Sequence, residues 1–367
     1  MTTVRAVVFD GTPGGIEVAD VELAAPRSGE VEVAIAAAGV CHSDLHVIRG
    51  EWAIPLPVVL GHEGAGVVTA LGDDVTDLAV GDHVVLSWVP QCGTCRQCCL
   101  GRPWQCETAA RVAATGMLYD GTSRFSRDGA TLHHYLGVSS FAERVVIPAS
   151  GAVKVRTDAP LDVIAIVGCA VATGVGAVRN TAAVEAGATV AVIGLGGVGL
   201  SCVQGARLAG ASRIVAVDVN PGKLIVAARL GATATIDASL ADPVEQLRDA
   251  VPEGLDYIFD AIGRIETTEQ AIRALGPGGA AVIVGLPPTG ARASFEPLVL
   301  AEANQRILGS NYGSVDPRTD IPLLVDLYMD GSLNLDELVS GRRPLAEAVQ
   351  ALADLEAGRT LRTLLTS

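Results

Sequence analysis

The sequence is poor in aromatic residues, 4% of 367, and poor in charge, 18%. Positive charge is the scarcer sign: 26 Lys and Arg against 41 Asp and Glu leave a net −15. That balance excludes broad electrostatic binding to nucleic acid or an anionic membrane surface, while a small local anion site stays compatible with it. Long apolar runs are also missing. Mean hydropathy is +0.41, but Ala, Val and Leu spread along the chain carry it. The most apolar stretch, Val163–Val178, is interrupted by Gly168, Thr173, Gly174 and Gly176. It is too short and too glycine-rich to predict a membrane span. Met1–Asp10 shows neither the apolar core nor the cleavage site of a secretory signal, so a cytoplasmic location is expected. Internal repeats, low-complexity segments and long linkers are absent. With 49% hydrophobic residues the chain can bury a sizeable core. At about 150 residues per domain its length predicts two domains.

What the sequence does have is 42 glycines and eight cysteines. The cysteines are Cys41, Cys92, Cys95, Cys98, Cys99, Cys106, Cys169 and Cys202, five of them between 92 and 106. A large chain without a secretory signal is poor ground for a disulfide framework, so metal ligation is the better expectation.

Residues 1–40 read as short strands. Val31–Ile35 alternates apolar and polar residues, and Gly14-Gly15 and Ser28-Gly29 mark turns. Val58–Leu60, Gly66–Val68, Val80–Leu86 and Ser140–Ile147 continue the strand character. Residues 90–137 carry turns and cysteines with little helical period. This region predicts a β-rich domain with long functional loops. After about residue 160 strands and helices alternate. Strands are expected at Thr189–Ile193, Arg213–Val217, Thr235–Ile236, Tyr257–Phe259, Ala281–Val284 and Ile307–Leu308, with helices such as Gly199–Leu208 and Lys223–Leu230 between them. Such alternation predicts an α/β fold with a doubly wound parallel sheet. The tail adds helices at Pro322–Met329 and Leu345–Glu356 and a last strand at Thr360–Leu365.

Three motifs carry chemistry. Gly194-Leu-Gly196-Gly197-Val198-Gly199 follows an expected strand and opens an expected helix, and the next strand ends at Asp218. This is the context of a dinucleotide-binding turn: glycines let the backbone approach a pyrophosphate at a helix N-terminus, and the acid accepts hydrogen bonds from the adenosine ribose. Asp218 would repel a 2′-phosphate, and Val219-Asn220 follow it rather than arginine, so NAD is favoured over NADP. Cys92-x2-Cys95-x2-Cys98-x7-Cys106 suits a closed tetrahedral zinc site with a structural role. Cys99 could replace Cys98, similar spacings serve iron–sulfur clusters, and an unmetallated loop is the remaining reading. Finally, Cys41 in Cys-His-Ser-Asp, His62 in Gly-His-Glu and the distant Cys169 would form a Cys2His set with its fourth position open. Singly, each is an ordinary core cysteine or loop histidine.

Taken together these motifs resemble the zinc-dependent medium-chain alcohol dehydrogenases, in order and spacing, over nearly the whole chain. The resemblance implies a GroES-like catalytic domain at 1–170 and 311–367, with a structural-zinc lobe at about 90–107. A Rossmann NAD-binding domain is inserted at 171–310. It implies two zinc ions per subunit, a catalytic one on Cys41, His62 and Cys169 and a structural one on Cys92, Cys95, Cys98 and Cys106, together with NAD. Ser43 and His46 match a proton relay. Asp44 and Glu63 match carboxylates that support the ligands. His42, Thr173, Lys223 and Arg362 match cofactor contacts, with His42 standing where arginine is common and Arg362 at the pyrophosphate. Trp52, Trp88, Tyr135, Leu136 and Leu286 match pocket positions and suggest a primary alcohol with an apolar or aromatic tail. The implied reaction is hydride transfer from a zinc-bound alkoxide to NAD, giving an aldehyde, and its reverse. The glutathione-dependent branch places an acid where Trp52 stands, so the alternative is a formaldehyde dehydrogenase using another thiol. A stretch from Asp120 to Gly137 resembles the dimeric branch, which implies a homodimer. Small-molecule alcohols and aldehydes are the expected partners, without nucleic acid or membrane. A non-catalytic NAD(P)-binding protein is the competing class, and such proteins typically lack the zinc ligands retained here.

Overall fold

Valine and isoleucine at alternate positions draw the first part of the chain into sheets. In the computed structural model, which describes residues 1–366, packing divides the chain into two units: Met1–Cys169 with Asp316–Ser367, and Ala170–Val315. In the first unit, strands Thr2–Phe9, Ile16–Leu23, Phe125–Arg127, Ala130–His134 and Val58–Val59 close a small barrel. A second sheet centres on Glu30–Gly39, which pairs antiparallel with Gly64–Leu71 and Arg144–Pro148 and, at its far end, with Arg362–Thr366. Val31, Val33, Val68, Leu86, Phe141 and Ile147 lie in its core. The alternation at 31–35 does not leave a wet face, because Glu30 and Glu32 are buried as well. Arg124 holds Glu30 through two bonds, at 2.6 and 2.8 Å, and Arg144 holds Glu32 at 2.9 Å. The pairing of Leu364 with Gly39 is what returns the tail to the first unit and sets Arg362 beside Val40.

The structure differs from two local expectations. The strand expected from Val80 begins at His83, because Ala79–Asp82 forms a turn closed by Asp82 Oδ2 on the Ala79 amide at 2.9 Å. The stretch 90–137, which shows little period, contains the helix Glu107–Thr115. That helix buries only Ala109 and Val112, too few residues to mark a period, and its N-cap is a cysteine whose sulfur accepts the Ala109 amide.

His134 closes the barrel side of this unit, buried with Nε2 accepting the Arg124 amide at 3.2 Å. Burial first, then the charges of Arg124 and His133, push its imidazole down to about 3. The unfolded chain takes up this proton below its ordinary pKa of about 6.5, and the folded chain does not until near 3. Stability should therefore fall as pH drops through that window. Melting scans from pH 7 to 4.5 should show a fall that is shallower in His134→Gln, which keeps an acceptor but does not titrate; equal slopes would contradict the assignment.

The second unit is a six-stranded, wholly parallel sheet in the order Ala234–Asp237, Arg213–Asp218, Thr189–Ile193, Leu255–Asp260, Leu275–Ile283, Arg306–Gly309. Helices Gly197–Leu208, Pro221–Leu230, Pro243–Ala250 and Ile265–Arg273 connect it. The strand order reverses at Thr189–Ile193, the switch point where such sheets bind ligands beyond the strands' carboxyl ends. Residues 311–315, expected in the catalytic domain, pack in this second unit. Tyr312 is buried, and Gly313 and Gly176 approach so closely that a side chain on either would strike the other's backbone. Among the described residues no single helix is long and apolar enough to cross a membrane.

Candidate metal centres and cofactor turn

Cys41 ends the strand Glu30–Gly39 segment and caps the helix His42–Ile48. His62 follows the short strand Val58–Val59, and Cys169 closes the first unit's long N-terminal part. The ligand atoms of these three residues lie within 4.8 Å of one another, and all three side chains are buried. Asp44, fully buried, ties the set together. One of its oxygens accepts the Cys41 amide at 3.2 Å; the other accepts the Gly61 amide at 3.2 Å and lies 3.4 Å from His62 Nδ1. His62 Nε2 is buried and makes no hydrogen bond. A buried nitrogen without a partner beside two buried thiols is the donor set of an open Cys2His zinc site.

The buried groups of the set act strongly on one another's charges. The Cys169 thiol, hydrogen-bonded to Cys41, holds the Cys41 thiol well below its ordinary value despite burial, helped by Arg362 and His62. Cys169 itself is pushed up by the Cys41 charge and by burial. Burial would lower the His62 imidazole, but the Asp44 and Cys41 charges overcome it and lift it to about 10. Glu63 is fully buried, with Oε2 3.4 Å from Arg362 Nε.

The second cluster is the lobe. The sulfurs of Cys92, Cys95, Cys98 and Cys106 also lie within 4.8 Å of one another. The Cys92 amide donates to Cys106 Sγ and the Cys95 amide to Cys92 Sγ, both at 3.3 Å. Burial opposes ionisation of Cys92, but donors from Thr108, Thr94 and Cys95 lower it to about 5. Cys99 is exposed, with its sulfur on the Thr94 carbonyl instead. The backbone turn therefore selects Cys98 as the third ligand. Four converging thiols fit a closed tetrahedral zinc.

In the second unit Gly194 takes the left-handed φ of +90° that the tight turn needs. A side chain at Gly199 would strike the Gly194 carbonyl, whereas one at Gly196 would meet nothing within 4 Å. That open approach, at the N-terminus of Gly197–Leu208, is a cradle for a pyrophosphate. Asp218 Oδ2 accepts the Leu195 amide at 2.7 Å and Oδ1 the Asn220 amide at 2.9 Å, with Lys223 Nζ 3.8 Å away.

Residues 27–157 match the alcohol dehydrogenase GroES-like domain and 197–330 the zinc-binding dehydrogenase domain. A Paracoccus denitrificans S-(hydroxymethyl)glutathione dehydrogenase is 38% identical, over 99% of each chain. The chain belongs to the zinc-dependent medium-chain alcohol dehydrogenase family. Two solved structures have a TM-score of 0.95, each covering 100% of this chain and 99% of theirs. One is a Burkholderia ambifaria alcohol dehydrogenase zinc-binding domain protein at 38% identity; the other is the Acinetobacter calcoaceticus benzyl alcohol dehydrogenase at 34%.

This alcohol dehydrogenase family member is an oxidoreductase that uses zinc and a nicotinamide dinucleotide. The structure adds contacts to several of the expected residues. Arg362, expected at the pyrophosphate, is only 3% exposed; Nη1 donates to the Val40 carbonyl at 3.0 Å, and burial is outweighed by the Cys41, Glu63 and Cys169 charges that keep it cationic. It lies as a counter-charge beside the metal set. Tyr135, expected in the pocket wall, is buried edge-on to His62 and donates to the Ser43 carbonyl at 3.0 Å, so it braces the site from beneath. Trp52 lies stacked on His46, rings 4.3 Å apart at 18°. His42 is exposed, Thr173 buried, Trp88 and Leu136 half-buried, and Leu286 exposed in the second unit. The sequence did not point to Glu51, which pairs with His46 Nδ1. Its only signal was a carboxylate five residues after the histidine, across a glycine.

Asp218 offers a direct check on cofactor choice. Removing a charged acceptor of ribose hydroxyls costs about 2–3 kcal/mol, or roughly thirty- to a hundredfold. Asp218→Ser should lower kcat/KM for NAD by that order and raise it for NADP. Unchanged preference in paired initial-rate measurements would contradict the role.

Proposed function

We propose that this enzyme oxidises primary alcohols with an apolar or aromatic tail to aldehydes, and reduces such aldehydes in reverse. The observation that carries the substrate class is the surface beside the catalytic ligands. Trp52 lies flat on His46, and the neighbouring carboxylates are engaged: Asp44 by two amides and His62, Glu51 by His46, Glu63 by Arg362. An apolar or aromatic tail gains from such a wall. The likeness to a benzyl alcohol dehydrogenase supports the same reading.

When bound, zinc supplies a Lewis acid for the alcohol oxygen and NAD accepts the hydride. The rest is done by side chains of the chain itself. Ser43 Oγ, 3.7 Å from Cys41 Sγ, takes the alcohol proton in this reading. His46, one helical turn further along His42–Ile48, passes it outward. Tyr135 holds the Ser43 carbonyl, and Asp44 holds the Cys41 amide at the start of the same helix. The segment 120–137 supports a homodimer, which light scattering can check.

A second reading is favoured by the curated relatives, which are named for S-(hydroxymethyl)glutathione: formaldehyde oxidation as an adduct of another thiol. Initial rates with NAD and benzylic, aliphatic, terpenoid and secondary alcohols, and with formaldehyde plus and minus thiols, separate the two. Benzyl alcohol and longer primary alcohols should turn over without thiol. A strict thiol requirement would replace the first reading by the second.

A further inference from the structure

The helix His42–Ile48 does not simply end; it folds back on its own histidine. Gly50 takes a φ of +68°, and the Glu51 and Trp52 amides both donate to the His46 carbonyl, at 2.9 and 3.4 Å. The turn thereby delivers two side chains to one imidazole. Trp52 covers its face. Glu51 Oε2 pairs with Nδ1, and its other oxygen lies 3.9 Å from Arg49 Nη1. Arg49 is anchored in turn by Glu356 at 2.9 Å. These are the charged groups facing the pair: Glu51 on the imidazole, then Arg49 and Glu356 behind the carboxylate. The pair is half-buried, with His46 18% and Glu51 27% exposed.

We propose that Glu51 is a positioning residue for proton transfer, holding His46 in the tautomer with hydrogen on Nδ1 and the lone pair on Nε2. The inference rests on the reading of His46 as the outer end of the relay. An imidazole whose Nδ1–H is bound to a carboxylate has one nitrogen left to act, and its orientation is fixed without cost at the moment of transfer. In alcohol oxidation the proton lost by the substrate hydroxyl arrives at Nε2, and the Nε2–H bond forms. The imidazolium so produced sits against the Glu51 carboxylate. The proton then leaves Nε2 for water or buffer, and the electron pair of the broken carbinol C–H bond has gone to NAD. In aldehyde reduction the same path runs inward. Trp52 prevents the ring from swinging away from Glu51, so substrate wall and relay share one support.

The test uses the holoenzyme with its zinc content verified. His46→Gln, Glu51→Ala and Glu51→Gln are compared at pH 7 for kcat, KM and response to added imidazole as an external proton acceptor. Glu51→Ala should lose about ten- to a hundredfold in kcat, the size seen when supporting groups around a site are removed, with KM for NAD little changed. Imidazole should restore a severalfold part of that loss, as it should for His46→Gln. Glu51→Gln, whose amide oxygen can still accept Nδ1–H, should lose less than Glu51→Ala. Melting curves confirm that each variant is folded, and Glu51→Gln keeps the comparison valid if Glu51→Ala is not. A slow His46→Gln beside a wild-type-like Glu51→Ala, or a Glu51 loss indifferent to imidazole, would overturn the proposal. A wild-type-like His46→Gln would instead remove the relay reading on which it rests.

Discussion

Cys41→Ala should abolish alcohol oxidation, by a thousandfold or more, while the chain stays folded and keeps one zinc of two. Losing a Lewis acid that carries several kcal/mol of transition-state stabilisation, about 4 kcal/mol at least, corresponds to roughly that factor. The fold should survive because the side chain supplies only its sulfur to the set. The contact that shapes the loop is the Cys41 backbone amide on Asp44, and alanine retains it. Asp44 also keeps the Gly61 amide. Metal analysis, circular dichroism and NADH formation on the same preparation check all three parts. Substantial turnover with one zinc per chain would remove the Cys41–His62–Cys169 set from the reaction.

Cys106→Ala should have the largest effect on stability. Its sulfur does three things: it joins the four-thiol cluster, accepts the Cys92 amide and caps the helix Glu107–Thr115. Structural zinc sites bind with apparent energies of about 10–16 kcal/mol, and that binding is folding energy of the lobe. A loss of even about 4 kcal/mol, at roughly 2–4 °C per kcal/mol, lowers the melting temperature by about 10 °C. The variant should hold one zinc and become open to proteolysis between residues 92 and 115. Cys99→Ser should change none of this, since Cys99 lies outside the cluster on the Thr94 carbonyl. Zinc loss in Cys99→Ser but not in Cys98→Ser would reverse the ligand assignment.

The features legible in the sequence are those written in short spacings. The turn Gly194–Gly199 and the C-x2-C-x2-C-x7-C run are local, and the structure builds both where the spacing puts them. The parallel strands were legible because Val, Ile and Ala runs buried on both sides leave little else to form. What stayed hidden depends on distant pairing. Arg362 reads as a pyrophosphate contact, and only the Leu364–Gly39 register shows that it also lies beside the buried Glu63. Tyr135 reads as a pocket position, and only the fold shows its hydroxyl donating to the Ser43 carbonyl. Glu51 was hidden by a turn, not by distance, because only the reversal at Gly50 brings its carboxylate back to His46. The helix after Cys106 was invisible because its cap is a metal-ligand cysteine rather than Ser, Thr, Asp or Asn.

The central claim is that an alcohol's own hydride passes to NAD at the Cys2His site. It is tested most directly by incubating the zinc-loaded protein with NAD and α,α-dideuterated benzyl alcohol, without thiol, and weighing the reduced cofactor. The account predicts one deuterium in each NADH formed by the wild-type chain and no NADH from Cys41→Ala. Unlabelled NADH, or labelled NADH formed equally well by Cys41→Ala, would contradict it.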